Sequence, residues 1–132
     1  MPITYTVEKN NSYVNAVATG ILTTDEVCSY QNAVEADKSV VKGFFELFDV
    51  SRITESKIDN IGLDQIAQLV RRSNKRMKGS KLAIVLSKGT SFDRAKYYEK
   101  IAYDIHNVIV FNSREVAEAW LGVVKPINNS TV

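Results

Sequence analysis

Three short apolar runs constrain this chain most: "GFFELFDV" at 43–50, "KLAIVLS" at 81–87 and "NVIVF" at 107–111. Each is bounded by turn residues and has the length and composition of a strand, the first hydrophobic enough to lie centrally and the second a buried one. Near-continuous apolar character implies a strand covered on both faces, the usual state of a parallel sheet. Parallel neighbours need crossover connections, and the stretches between these runs carry helical signals.

The first such stretch, "TTDEVCSYQNAVEADKSV" at 23–40, offers Thr23 or Thr24 as a cap. Glu26 stands three residues after Thr23 as the capping-box acid, and Val27, Tyr30 and Val34 recur on one face. Asp59 or Asn60 caps the next helix, with Ile61, Ile66 and Leu69 or Val70 as its core-facing stripe. That helix runs into "RRSNKRMKGSK", which Gly79 ends. A third helix spans 91–105 from a Ser91 cap, and a fourth spans 113–124 from Ser113, packing Val116, Ala117 and Trp120 inward.

Ahead of these elements, "ITYTVEK" at 3–9 and "SYVNAVATGIL" at 12–22 alternate around a polar turn at Asn10 and Asn11, which predicts a hairpin. The order is β-β-α-β-α-β-α-β-α, an α/β fold with a mixed sheet: an N-terminal hairpin followed by mainly parallel βαβ units. The 132 residues fit one domain over 1–124 with a polar tail at 125–132. No secretory leader pattern and no apolar run of membrane-spanning length is seen, so a cytoplasmic protein is expected.

Chemistry is sparsely signalled. Lys and Arg total 17 against 15 for Asp and Glu, a net charge of +2, too weak to make the whole domain a polyanion binder. Arg71, Arg72, Lys75, Arg76, Lys78 and Lys81 form a basic run, but it lies at a helix C-terminus, where cations are favoured anyway. No aromatic residue interleaves it, so it reads as a solvated surface, with an acidic partner preferred over nucleic acid. There is no GxGxxG or Walker pattern and no three-ligand cluster, so neither cofactor nor metal is expected.

His106 is the single histidine and has no serine or cysteine beside it, and Cys28 lies in a helical stretch and reads as a near-core residue. Ser91, with Arg94 one turn later and Tyr97 beyond, is a candidate anion or ligand contact at a helix start. Asp49, Glu55 and Asp59 would act as an acid–base pair only at a fixed separation with divided pKa values.

Taken together, "VNAVATGILTTDEV", "ELFDVSRI", "GSKLAIVLS", "FDRAKYYEKIA" and "VIVFNSREVAEAWL" resemble the STAS or anti-sigma-factor-antagonist family, in particular its stand-alone SpoIIAA-like members. The likeness covers about 12–122 and implies a mixed sheet with helices mostly on one face. Its best-known members are phosphorylated at the start of the second helix, in a pattern like Asp-Ser-Ser-Gly-Leu, which controls binding to a kinase-like partner. The matching stretch is "DNIGL": Asp59, Gly62 and Leu63 agree, but Asn60 and Ile61 fill the serine positions.

The resemblance thus implies a non-enzymatic interaction or regulatory module without the phosphoserine switch, working with a protein partner or as a homodimer. Its interaction loop would run from Asp49 through Ser51, Arg52, Thr54, Glu55 and Ser56 to Asp59, Asn60, Ile61 and Gly62. The alternative is a binder of a small apolar or anionic, lipid-like ligand, in a pocket lined by Phe44, Phe48 or Trp120.

Overall fold

The structure, a computed structural model, describes residues 2–87 and 92–123. Ser91 and the tail at 125–132 lie outside the described residues. The elements are β1 (Ile3–Glu8), β2 (Tyr13–Leu22), α1 (Thr24–Ala36), β3 (Phe45–Ser56), α2 (Asn60–Arg71), β4 (Lys81–Val85), α3 (Phe92–Ile101), β5 (Asn107–Phe111) and α4 (Arg114–Leu121).

The five strands lie side by side in chain order. β1 and β2 are antiparallel, in register from Ile3 opposite Ala18 to Glu8 opposite Tyr13. Lys9, Asn10 and Asn11 take consecutive left-handed conformations in the turn, where asparagine is tolerated better than most residues. From β2 onward every pairing is parallel. The alternation of single helices with short apolar strands leaves no other way to join them.

Two apolar layers sandwich the sheet. On one side Val14, Ala16 and Ala18 of β2 meet Val27, Tyr30 and Val34 of α1, with Ile66 and Val70 of α2 and Tyr98 of α3 in the same cluster. On the other, Ala117 and Leu121 of α4 pack on Tyr13, Leu47, Ala83 and Val85. Helices therefore cover the sheet mostly on one face, with α4 alone behind it.

Local signals hold at several ends. Thr23 caps α1 in a capping box with Glu26, Asp59 caps α2 through Gly62 N, and Ser113 caps α4 through Val116 N. Several expectations need correction. α2 ends at Arg71 and not at Gly79, and α3 ends at Ile101 and not at 105. α1 stops at Ala36 because the Asp37 side chain accepts from Ser39 N and Ser39 Oγ, a local turn that competes with another helical turn. Residues 51–56 are strand rather than loop: they pair with Thr19–Leu22 of β2 across two register shifts. Ile61 points outward, and the buried stripe of α2 is Gly62, Leu63, Ile66, Ala67 and Val70. Val116 is exposed as well, so α4 turns only Ala117 and Leu121 fully inward.

α4 is also tied down by charge. Arg114 donates through Nη1 to Asp49 Oδ2 at 3.0 Å, through Nη2 to Asn15 Oδ1 at 2.7 Å and through Nε to Glu118 Oε2 at 3.1 Å. Asp49 is buried, and its other oxygen accepts from Ser51 N and Ser51 Oγ. Removing a buried partner strands the remaining charge. Arg114 is one-third exposed, so water recovers part of that loss. Asp49→Ala should lower unfolding stability by about 2 kcal/mol in urea denaturation. An unchanged midpoint would show that α4 docks through its apolar contacts alone.

Candidate functional site

Helices α1, α2 and α3 do not fill the space over the sheet. Between them and the sheet runs a cavity of about 110 Å³. It follows β3 from Glu46 past Phe48 and Val50 to Ser56, with Ile84 of β4 beside it and Ile66 of α2 above. Its wall is apolar except at the two ends. Arg94 and Ser56 mark the end at the carboxyl edge of the sheet, where open α/β sheets commonly take ligands. Glu46, Gln31 and Tyr98 mark the other.

The inner end is built around a buried ion pair. Arg76 donates to Glu46, and their side chains are only 5% and 2% exposed. Tyr30 donates its hydroxyl to Glu46, and Arg76 also donates to Gln31 and lies over the Phe44 ring, 4.8 Å from its centroid. Burial alone would raise the Glu46 pKa, but the Arg76 charge and the hydrogen bonds from Arg76 and Tyr30 outweigh it and hold the carboxyl below its ordinary value. The Arg76 guanidinium is likewise held charged: burial opposes it and Glu46 more than compensates.

Tyr30 is driven well above its usual pKa, by burial first and then by the Glu46 charge. One step away, the Tyr98 hydroxyl and His106 Nε2 are 3.2 Å apart, and both residues are buried. The neighbouring segment is fastened by Lys75, which donates to Val34 O at 3.3 Å and to Asp37 O, and by Glu35, which accepts from Ser73 Oγ and Asn74 N.

The residues singled out in the sequence fall into separate places. Asp49 and Ser51 belong to the Arg114 cluster behind the sheet. Arg52, Thr54 and Glu55 are exposed along the last part of β3. Asp59 is occupied as the α2 cap, whereas Asp49 is held by Arg114 of α4 on the other face of the sheet, so these two acids do not share one cleft. Asn60 and Ile61 sit outward on the first turn of α2. Gly62 is buried against α1: a Cβ there would lie 2.3 Å from Thr24 Oγ1, so glycine lets the two helix starts approach closely. The α3 residues are next door. Arg94 Nη1 donates to Ser56 O at 3.3 Å, and the Tyr97 hydroxyl donates to Asp64 Oδ1 at 2.9 Å.

The three aromatic residues expected around one pocket do not meet. Phe48 lines the cavity, Phe44 lies beneath Arg76, and Trp120 is on the opposite face against Phe111 and Lys81. The strand periodicity is the reason, because α4 and the other helices cover different faces. The basic run is not one solvated surface either. Arg71 donates to Ile101 O and Asp104, Lys75 and Arg76 are used as above, Lys81 donates to Trp120 O, and Arg72 is exposed.

Sequence reasoning missed the Glu46–Arg76–Tyr30 network. Its signal was present: a glutamate inside "FFELF" is a charge within a buried strand, and such a charge requires a partner. Among the described residues no cluster of three His, Cys, Asp or Glu side chains is arranged to hold a metal ion, and no helix is long and apolar enough to cross a membrane.

His106 gives the network a pH signature. Burial, helped by the Arg76 charge, pushes its pKa down to about 4 from an ordinary 6.5, against the opposing pull of Glu46. Between those values the unfolded chain binds more protons than the folded one, so stability falls as pH drops from about 6.5 to about 4. The loss amounts to about 3 kcal/mol over that window. His106→Gln should remove this part of the pH dependence in urea titrations at successive pH values. The same slope in both proteins would contradict a neutral buried His106.

Comparison with known proteins agrees with this architecture. No protein-family pattern and no curated protein matches the chain. Among solved structures, an uncharacterised protein of the DUF3478 family from Shewanella loihica PV-4, described as having a SpoIIAA-like fold, is similar. The two are 15% identical with a TM-score of 0.60, over 90% of this chain and 93% of the other. At that identity the likeness speaks for the fold alone, and the fold is SpoIIAA-like.

Proposed function

We propose that this chain is a STAS-like interaction module, a single cytoplasmic domain over residues 1–124 that acts by binding a protein surface and not by catalysis. The observation that carries the reading is the first turn of α2. Ile61 is 68% exposed there, although the helix otherwise turns its apolar residues inward. An exposed isoleucine on a rigid, capped helix start gains from being covered by a partner. Phe92, 56% exposed at the start of the adjoining helix α3, adds a second apolar residue on a neighbouring element.

The same turn argues against phosphoserine control. Asn60 and Ile61 occupy the positions that carry serines in the best-known members, and neither has a hydroxyl to accept phosphate. Separation of Asp49 from Asp59 argues against acid–base catalysis, which needs paired groups in one site. In this reading the module binds constitutively, and a second copy of the chain is its simplest partner.

Sedimentation velocity at several concentrations tests the self-association form. The expected result is a concentration-dependent dimer that Ile61→Asp shifts to monomer by at least about tenfold in dissociation constant, the equivalent of about 1.4 kcal/mol. A strictly monomeric native chain would contradict self-association. A dimer indifferent to Ile61→Asp would move the contact away from α2.

A further inference from the structure

We infer that the cavity beneath α2 is a binding site for a small amphiphilic monoanion, an unbranched carboxylate of about five or six carbons, with its tail along β3 and its head at Arg94. The inference is independent of the α2 contact, because it concerns the space under the helix and not its outer surface.

Shape and volume set the tail. The lining includes Phe48, Val50 and Ile53 of β3 from below and Leu63 and Ile66 of α2 from above, so a short unbranched chain can lie along the strand. An engineered apolar cavity of about 150 Å³ holds benzene, so one of about 110 Å³ matches a tail of about four or five methylene-sized groups.

Charge sets the direction and the class of head group. The inner end already holds the Glu46 carboxylate in contact with Arg76 and Tyr30, so a second anion there would compete with Glu46 for the same donors. At the outer end, Arg94 donates to a neutral acceptor, the Ser56 carbonyl. Among the described residues it has no carboxylate within salt-bridge distance. Asp59 and Asp64 are engaged by Gly62 N and the Tyr97 hydroxyl. A carboxylate at the outer end therefore finds a guanidinium whose fork fits it in two parallel hydrogen bonds.

The test is a titration of the full chain with sodium hexanoate, followed by methyl NMR at Leu63, Ile66 and Ile84, all of which line the cavity. Saturable shifts at these methyls are expected. Arg94→Gln should weaken hexanoate about fivefold relative to 1-hexanol, because it removes a charge-assisted contact to the carboxylate alone. Ala95→Leu, which extends a lining side chain into the space, should abolish the shifts while the protein stays folded by its amide spectrum. If that variant fails to fold, Ile53→Phe blocks the same space from the sheet side.

Absent or non-saturating shifts, or equal shifts in the blocked variant, would overturn the site. Hexanol and hexanoate affected alike by Arg94→Gln would overturn the anionic head. Dodecanoate binding at least about tenfold tighter than hexanoate would mean that the space accepts a lipid-length chain, and would overturn the size assigned from its volume.

Discussion

The ion pair between Glu46 and Arg76 is the interaction on which the helical layer depends. Two charges taken out of water are destabilising unless every remaining donor and acceptor is satisfied. Here that requirement reaches across the fold. Tyr30 and Gln31 must come from α1, Glu46 from β3 and Arg76 from the segment between α2 and β4. Each partner has to sit at one lateral position, so the pair fixes how α1 and the chain after α2 stand over the sheet. Apolar packing alone tolerates small slides between layers, whereas a fully buried polar network does not.

The network also explains why space remains above β3. Its polar groups gather at one end, near Glu46, and the apolar residues further along the strand cannot collapse into that end without breaking hydrogen bonds. The result is a cavity with a finished, neutral floor and an outer end beside Arg94. α2 forms its roof, and the exposed turn with Ile61 stands on the outside of the same helix. Binding inside and binding outside are then properties of two faces of one element.

Much of the fold was legible because its signals are local. Thr23 with Glu26, Asp59 and Ser113 each cap a helix within one turn of where the residue type places it. The apolar runs at β3, β4 and β5 read as strands by length and composition, and the first two are the more buried. What stayed hidden needed distance in the chain. Asp49 reads as a loop acid until Arg114, 65 residues later, is folded against it. Arg76 reads as part of a basic run until Glu46 is found 30 residues before it. Ile61 looked like core because one apolar residue more or less does not shift a helical stripe clearly. Gly62 decided the matter by being the residue that faces α1. Residues 51–56 looked like a loop from their polarity, but Ile53 alternates with Arg52 and Thr54 in the manner of an edge extension of β3.

A double-mutant cycle at the buried pair tests this account most directly. Glu46→Leu and Arg76→Met each leave one charge without its partner, and each should cost about 3–5 kcal/mol in urea denaturation. The double variant, with neither charge left, should lose far less than the sum, with a coupling of at least about 2 kcal/mol. Additive losses would contradict the claim that the Glu46–Arg76 pair organises the helices over the sheet.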